Sequence, residues 1–111
     1  RFVAGRGDGL LHAFAPHATV GLAIMETGAG SDDDLVDLLA SHLLPRDDRY
    51  RHAHGSLGHG ADHLLPALLA ASISVPVLDG RLALGTWQSL LLVDTNRDNP
   101  HRQVRLSFLP G

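Results

Sequence analysis

The sequence predicts an α+β domain, because β-branched apolar runs open the chain, helical spacing occupies its middle, and strand-like runs joined by tight turns close it. Strands and helices are segregated rather than alternating, which disfavours a doubly wound parallel sheet and the nucleotide-cofactor folds built on one. The 111 residues leave room for one modest core and no second domain.

The elements follow in chain order. Leu10 to Ala15 and Thr19 to Glu26 read as strands turned through Pro16-His17, and the preceding residues, with Gly5, Gly7 and Gly9, read as a loop. Ser31-Asp32-Asp33-Asp34 gathers acids where a helix N-terminus favours them. Leu35, Val36, Leu38, Leu39, Leu43 and Leu44 then recur at helical spacing until Pro45 ends the helix. From Arg46 to Gly60 the chain is polar and rich in Gly and His, a loop of the length that is usually functional or disordered. A second helix is expected from Ala61 to Ala71, with Pro66 tolerated near its first turn. Ser72 to Leu78 and Arg81 to Leu84 form a hairpin about Asp79-Gly80, a type I′ turn signal. Trp87 to Asp94 and Gln103 to Phe108 complete an antiparallel meander, joined by the turn-rich segment from Thr95 to Pro100.

Composition excludes several function classes. Apolar runs such as Leu90 to Val93 fall far short of the ~20 residues that cross a bilayer, so the reading is a soluble protein with no membrane partner. A net charge of −3 with basic residues scattered singly offers no footprint for nucleic acid or anionic lipid. The absence of cysteine removes disulfides, thiolate zinc sites and thiol nucleophiles, and makes the cytoplasm the default location. All nine basic residues are Arg, so a Schiff-base lysine is excluded and Arg is the only fixed cation available for a phosphate or carboxylate. The chain begins at Arg1 without Met or a signal pattern and reads as trimmed at that end.

Histidine is the unusual count, at eight. His52, His54, His59 and His63 fall in the long loop and the helix after it, and His59 with His63 is an i, i+4 pair that would share one helix face. Two imidazoles so placed can grip one divalent ion, zinc or magnesium. The helical two-histidine motif of metalloproteases adds a Glu between them, where this chain has Gly60-Ala61-Asp62. The plain alternative is an exposed His-rich loop with no ligand.

Glu26 is the only glutamate and ends a strand. A carboxylate there serves as general base, metal ligand or histidine partner if buried, and as a solvated acid if not. Asp94 ends the Trp87 strand, either converging with Glu26 or forming the turn before Asn96. Trp87, the only tryptophan, reads as a core aromatic before it reads as a stacking surface, with Thr86 and Gln88 on the opposite strand face. Arg102 offers a bidentate anion anchor or a surface charge. Arg6-Gly7-Asp8 spells an integrin-type tripeptide and is discounted as chance.

The run Gly80-Arg81-Leu82-Ala83-Leu84-Gly85-Thr86-Trp87-Gln88 resembles the hallmark of the YjbQ family, G-R-L-x-L-G-T-W-Q. The resemblance extends through Ile73-Ser74-Val75-Pro76-Val77, Leu43-Leu44-Pro45 and His17-Ala18-Thr19 to Glu26, and forward to Asp94 and Arg102, covering nearly the whole chain. It implies antiparallel sheets packed as a sandwich with two helices, a homotrimer, an initial strand before Arg1, and the weak thiamine-phosphate synthase activity of some members. His17, His52 and His63 coincide with family histidines and become the metal-ligand candidates, ahead of His54 and His59. Glu26, His17 and Asp94 become candidate catalytic groups; Arg102, Gln88, Thr19 and Trp87 become candidate contacts to a small anionic or phosphorylated ligand. Ala18, Met25 and His59 depart from the family pattern. Two functions follow: a transferase acting at these residues, or a trimeric protein that binds metal or anion without turnover.

Overall fold

Strand β1 (Gly9–Phe14) lies inside the larger sheet of the computed structural model, which describes residues 1–111. β1 pairs antiparallel with β3 (Ser72–Leu78) on one side and with β6 (Arg105–Pro110) on the other. The two-residue β4 (Arg81–Leu82) extends the far edge, giving the order β4-β3-β1-β6. A second sheet is the antiparallel pair of β2 (Val20–Met25) and β5 (Ser89–Asp94). The expected α+β class with two antiparallel sheets is therefore what the chain adopts.

The expected meander is not. The hairpin at Asp79-Gly80 forms, with φ of 51° and 73° at its two central residues, but β5 then leaves β4 for β2, and β6 returns to β1. The reason lies in the apolar run of β5, which needs cover on both faces. Leu90 packs toward Ala13, Ala15, Val20 and Leu22, between the sheets. Val93 packs away from them, with Leu39, Leu44, Ala61 and Leu65 of the helical layer. The molecule thus has three layers: large sheet, small sheet, helices. At Gly21 of β2 an added Cβ would stand 2.6 Å from the Leu69 Cβ, so the absence of a side chain lets the helical layer settle on the strand.

The first helix begins as α1 (Ser31–Leu38), with Asp32, Asp33 and Asp34 in its first turn. It widens into a π-helical turn over Leu39–Leu43, closed by the Leu44 N–H donating to the Leu39 carbonyl at 2.7 Å. In a regular α-helix residues five apart diverge by about 140°, whereas the wider turn brings both Leu39 and Leu44 into the core. The expected second helix is broken into single turns, α2 (His59–Asp62) and α3 (Leu65–Leu68), because Pro66 lacks the donor a continuous helix needs. No helix is long and apolar enough to cross a membrane.

One local expectation is corrected. Trp87 is not a core aromatic on a strand: it is 74% exposed, in a turn closed by the Gln88 N–H on the Gly85 carbonyl. That turn delays β5 to Ser89 and leaves Leu90 as the inward residue. Arg6 and Asp8 of the Arg6-Gly7-Asp8 triplet both make contacts within the chain. Arg6 donates to the Phe2 carbonyl and stacks over the Phe2 ring, while Asp8 accepts the Asp79 N–H.

Candidate metal centre

The long loop folds back on α2 because its glycines permit close approach. A Cβ on Gly60 would lie 2.6 Å from both the His52 carbonyl oxygen and the Tyr50 Cβ. Gly55, at φ +84°, would meet Asp98 Oδ2 and His59 Cγ at 2.8 Å. Tyr50 anchors the loop by donating its hydroxyl to the Pro45 carbonyl at 2.7 Å.

This packing gathers His52, His59 and His63, all partly buried, with one ring nitrogen of each within 4.8 Å of the others. The Nε2 atoms of His59 and His63 stand 3.1 Å apart. Two Zn–N bonds of about 2.0–2.1 Å at a tetrahedral angle separate their nitrogens by roughly 3.3 Å, so the pair is set near the spacing a shared ion requires. His52 Nδ1 is buried without a hydrogen-bond partner, the one such side-chain atom in the chain. An unsatisfied buried polar atom costs about 1–3 kcal/mol, and an ion is the partner that this donor set fits. Burial, reinforced by the neighbouring His52, His59 and His54, holds His63 below the ordinary imidazole pKa and so in the neutral form that can ligate. His54 flanks the group, its ring centroid 4.1 Å from that of His52.

The centre is braced from behind. Asp62, fully buried, receives Arg46 at 2.5 and 3.2 Å, the Thr95 hydroxyl at 2.8 Å and the Asn96 amide at 3.1 Å. The hydrogen bond to Asp62 raises the Arg46 pKa further, against the opposing effect of burial. On the other side, Asp98 Oδ2 lies 2.8 Å from His59 Nδ1 and accepts the Ser56 N–H and hydroxyl. Those contacts from Ser56, with His59 adding to them, hold the Asp98 carboxyl below its usual pKa. In front, a cleft of about 270 Å³ opens between His52, His54, His59, Tyr50, Asp47 and Asp48.

The sequence-derived candidates divide. His52 and His63 come together, but the third member of their group is His59, not His17. His17 Nε2 accepts the Gln103 N–H instead. Beside it, Arg102 grips Asp94 at 2.7 and 3.1 Å and donates to the Thr19 hydroxyl at 2.9 Å. The anion anchor, a candidate catalytic acid and a candidate ligand contact thus satisfy one another. Glu26 follows the opposite end of β2, whose register runs from Val20 beside Asp94 to Met25 beside Ser89. At the usual strand rise Glu26 stands roughly 23 Å along the chain from Thr19. Gln88 Oε1 accepts the Gly85 N–H in the turn that exposes Trp87.

The i, i+4 spacing of His59 and His63 was the signal that could have found the third member of the cluster. Asp62, Asp98 and Ser56 had none, since their partners lie 16 to 42 residues away.

Comparison with known proteins agrees with this architecture. A UPF0047 protein of Mycobacterium tuberculosis is 67% identical over 110 residues, spanning 99% of this chain and 82% of the relative. One from Archaeoglobus fulgidus is 37% identical over 98 residues, spanning 87% and 75%. The crystal structure of a hypothetical protein from Aeropyrum pernix superposes with a TM-score of 0.81 at 31% identity, covering 95% of this chain and 76% of that one. A conserved hypothetical protein from Thermus thermophilus gives 0.79 at 33%, covering 92% and 79%. The family profile described as UPF0047 protein YjbQ-like matches residues 1–111, and the chain belongs to that family.

Proposed function

We propose that the chain is a divalent-metal protein whose His52, His59 and His63 centre receives a small anionic or phosphorylated ligand from the adjoining cleft. The observation that carries this reading is the buried, unpartnered Nδ1 of His52 beside two imidazoles already at near-ligand spacing. Three imidazole nitrogens favour zinc over magnesium, which prefers oxygen ligands. Three protein ligands also leave a position open, the pattern of reactive rather than structural zinc sites. Bound there, the ion would supply Lewis acidity and countercharge. The countercharge matters because Arg46, Arg49 and Arg102 are each paired with an aspartate.

Thiamine-phosphate-synthase-like transfer is the turnover that the family resemblance attaches to such a site. Binding without turnover is favoured by one observation: within the chain, the lone glutamate lies at the end of β2 away from Asp94. Assembly as a homotrimer belongs to the same proposal and is supported by an apolar patch at one end of the large sheet's outer face, where Leu10, Leu78 and Leu109 are exposed. A cytoplasmic location is proposed on the lack of cysteine.

Metal analysis and calorimetry on protein purified without an affinity tag test the centre. One zinc per chain, lost in His59→Ala and His63→Ala but kept in His17→Ala, is expected. Failure of the wild-type chain to bind zinc would sink the reading. Pyrophosphate release from a pyrimidine diphosphate and a thiazole phosphate, with and without zinc, separates turnover from binding.

A further inference from the structure

We infer that Asp98 is a positioning residue that holds His59 as its Nδ1–H tautomer, so that the Nε2 lone pair points at the position shared with His52 and His63. The inference rests on the metal reading above and adds the residue on which its ligand geometry depends.

His59 Nδ1 has two close neighbours, and they demand opposite things of it. Asp98 Oδ2, at 2.8 Å, can only accept, so it needs a proton on Nδ1. Asn96 Nδ2, at 3.0 Å, can only donate, so it needs a lone pair there. The Asn96 amide cannot turn over to relieve the conflict, because its Oδ1 already accepts the Asp98 and Asn99 N–H groups at 2.9 Å. Asn96 Nδ2 does have another acceptor, Asp62 Oδ2 at 3.1 Å. A carboxylate facing an imidazole lone pair at 2.8 Å would be repulsive, whereas a proton between them makes a charge-assisted bond. The proton therefore sits on Nδ1, and Nε2 is left bare toward His63.

Asp98 is well placed to impose this choice. Ser56 fixes the carboxylate through its N–H at 3.1 Å and its hydroxyl at 3.2 Å. Gly55, beside Ser56, leaves the space that any Cβ would take from Asp98 and His59 together. A carboxylate behind a metal-ligating histidine fixes ring and tautomer, and its loss typically weakens metal binding by 10- to 100-fold. Because Asp98 lies in the connection from β5 to β6, it also ties the histidine loop to the sheet.

Long-range ¹H–¹⁵N NMR on the metal-free full chain reads the tautomer directly, and zinc calorimetry reads its consequence. In the wild type His59 is expected as Nδ1–H. In Asp98→Asn the Nε2–H form should grow, with zinc affinity about 10- to 100-fold weaker, and Asp98→Glu should recover part of the loss. An Nε2–H tautomer in the wild type, or a tautomer and affinity unchanged in Asp98→Asn, overturns the role of Asp98 while leaving the zinc centre standing. Absence of zinc binding by the wild type overturns both.

Discussion

Arg46 closes as a fork on Asp62, a carboxylate with no exposed side-chain surface, at 2.5 and 3.2 Å. The pair joins the end of the first helix to α2, and Thr95 and Asn96 fill the remaining lone pairs of the acid from the β5–β6 connection. A buried ion pair is tolerated only when hydrogen bonds complete it, and here four donors converge on one carboxylate next to the histidine cluster.

Asp62→Ala should therefore strand a largely buried guanidinium and cost about 3–5 kcal/mol. Urea denaturation of the variant beside the wild type measures it, and a loss under 1 kcal/mol would mean that the pair is solvated in solution. Arg46→Met with Asp62→Leu should lose less than Asp62→Ala alone, since neither member is then left unpaired.

Arg102 leads to a contrasting expectation. Its guanidinium is bound by Asp94 and Thr19 and makes no hydrogen bond to His52, His59 or His63. Arg102→Ala should lower stability by roughly 1–3 kcal/mol through the lost charged hydrogen bonds and leave zinc affinity within a factor of two. A tenfold loss of phosphate or zinc binding, with stability unchanged, would restore it to the site.

The histidine cluster makes metal-free stability depend on pH. Burial and neighbouring imidazoles lower the His63 pKa in the folded chain, so near and just below the ordinary value of 6.5 the unfolded chain binds more protons than the folded one. Stability rises with pH in such a window, so this group weakens the fold as pH falls below about 6.5 and has no effect well above it. Denaturation midpoints between pH 7.5 and 5 should fall in the wild type, and more shallowly in His63→Gln. Equal slopes would show that His63 is not the group responsible. Protons also compete with zinc for the imidazoles, so zinc affinity should decline over the same range.

The sequence was most informative where the signal is local. Asp79-Gly80 specified its turn because both residues can adopt positive φ, and Ser31 to Asp34 marked the start of α1 through acids at a helix N-terminus. Family membership was equally legible, because a series of short motifs in order survives without any knowledge of contacts. The π-helical turn was not, since Leu39 and Leu44 are drawn to one face by a core assembled from β5 and α2.

By itself, then, the sequence determined the α+β class, the family and a histidine-rich loop as the place to look. Only the tertiary structure decided which histidines meet. It grouped His59, not His17, with His52 and His63, paired Arg102 with Asp94, and revealed Asp98 and Asp62 behind the cluster. The physical reason is that ligand geometry and charge pairing are set by distances between segments far apart in the chain. Spacing along a sequence encodes which face a residue takes within its own element, but not what that face is packed against.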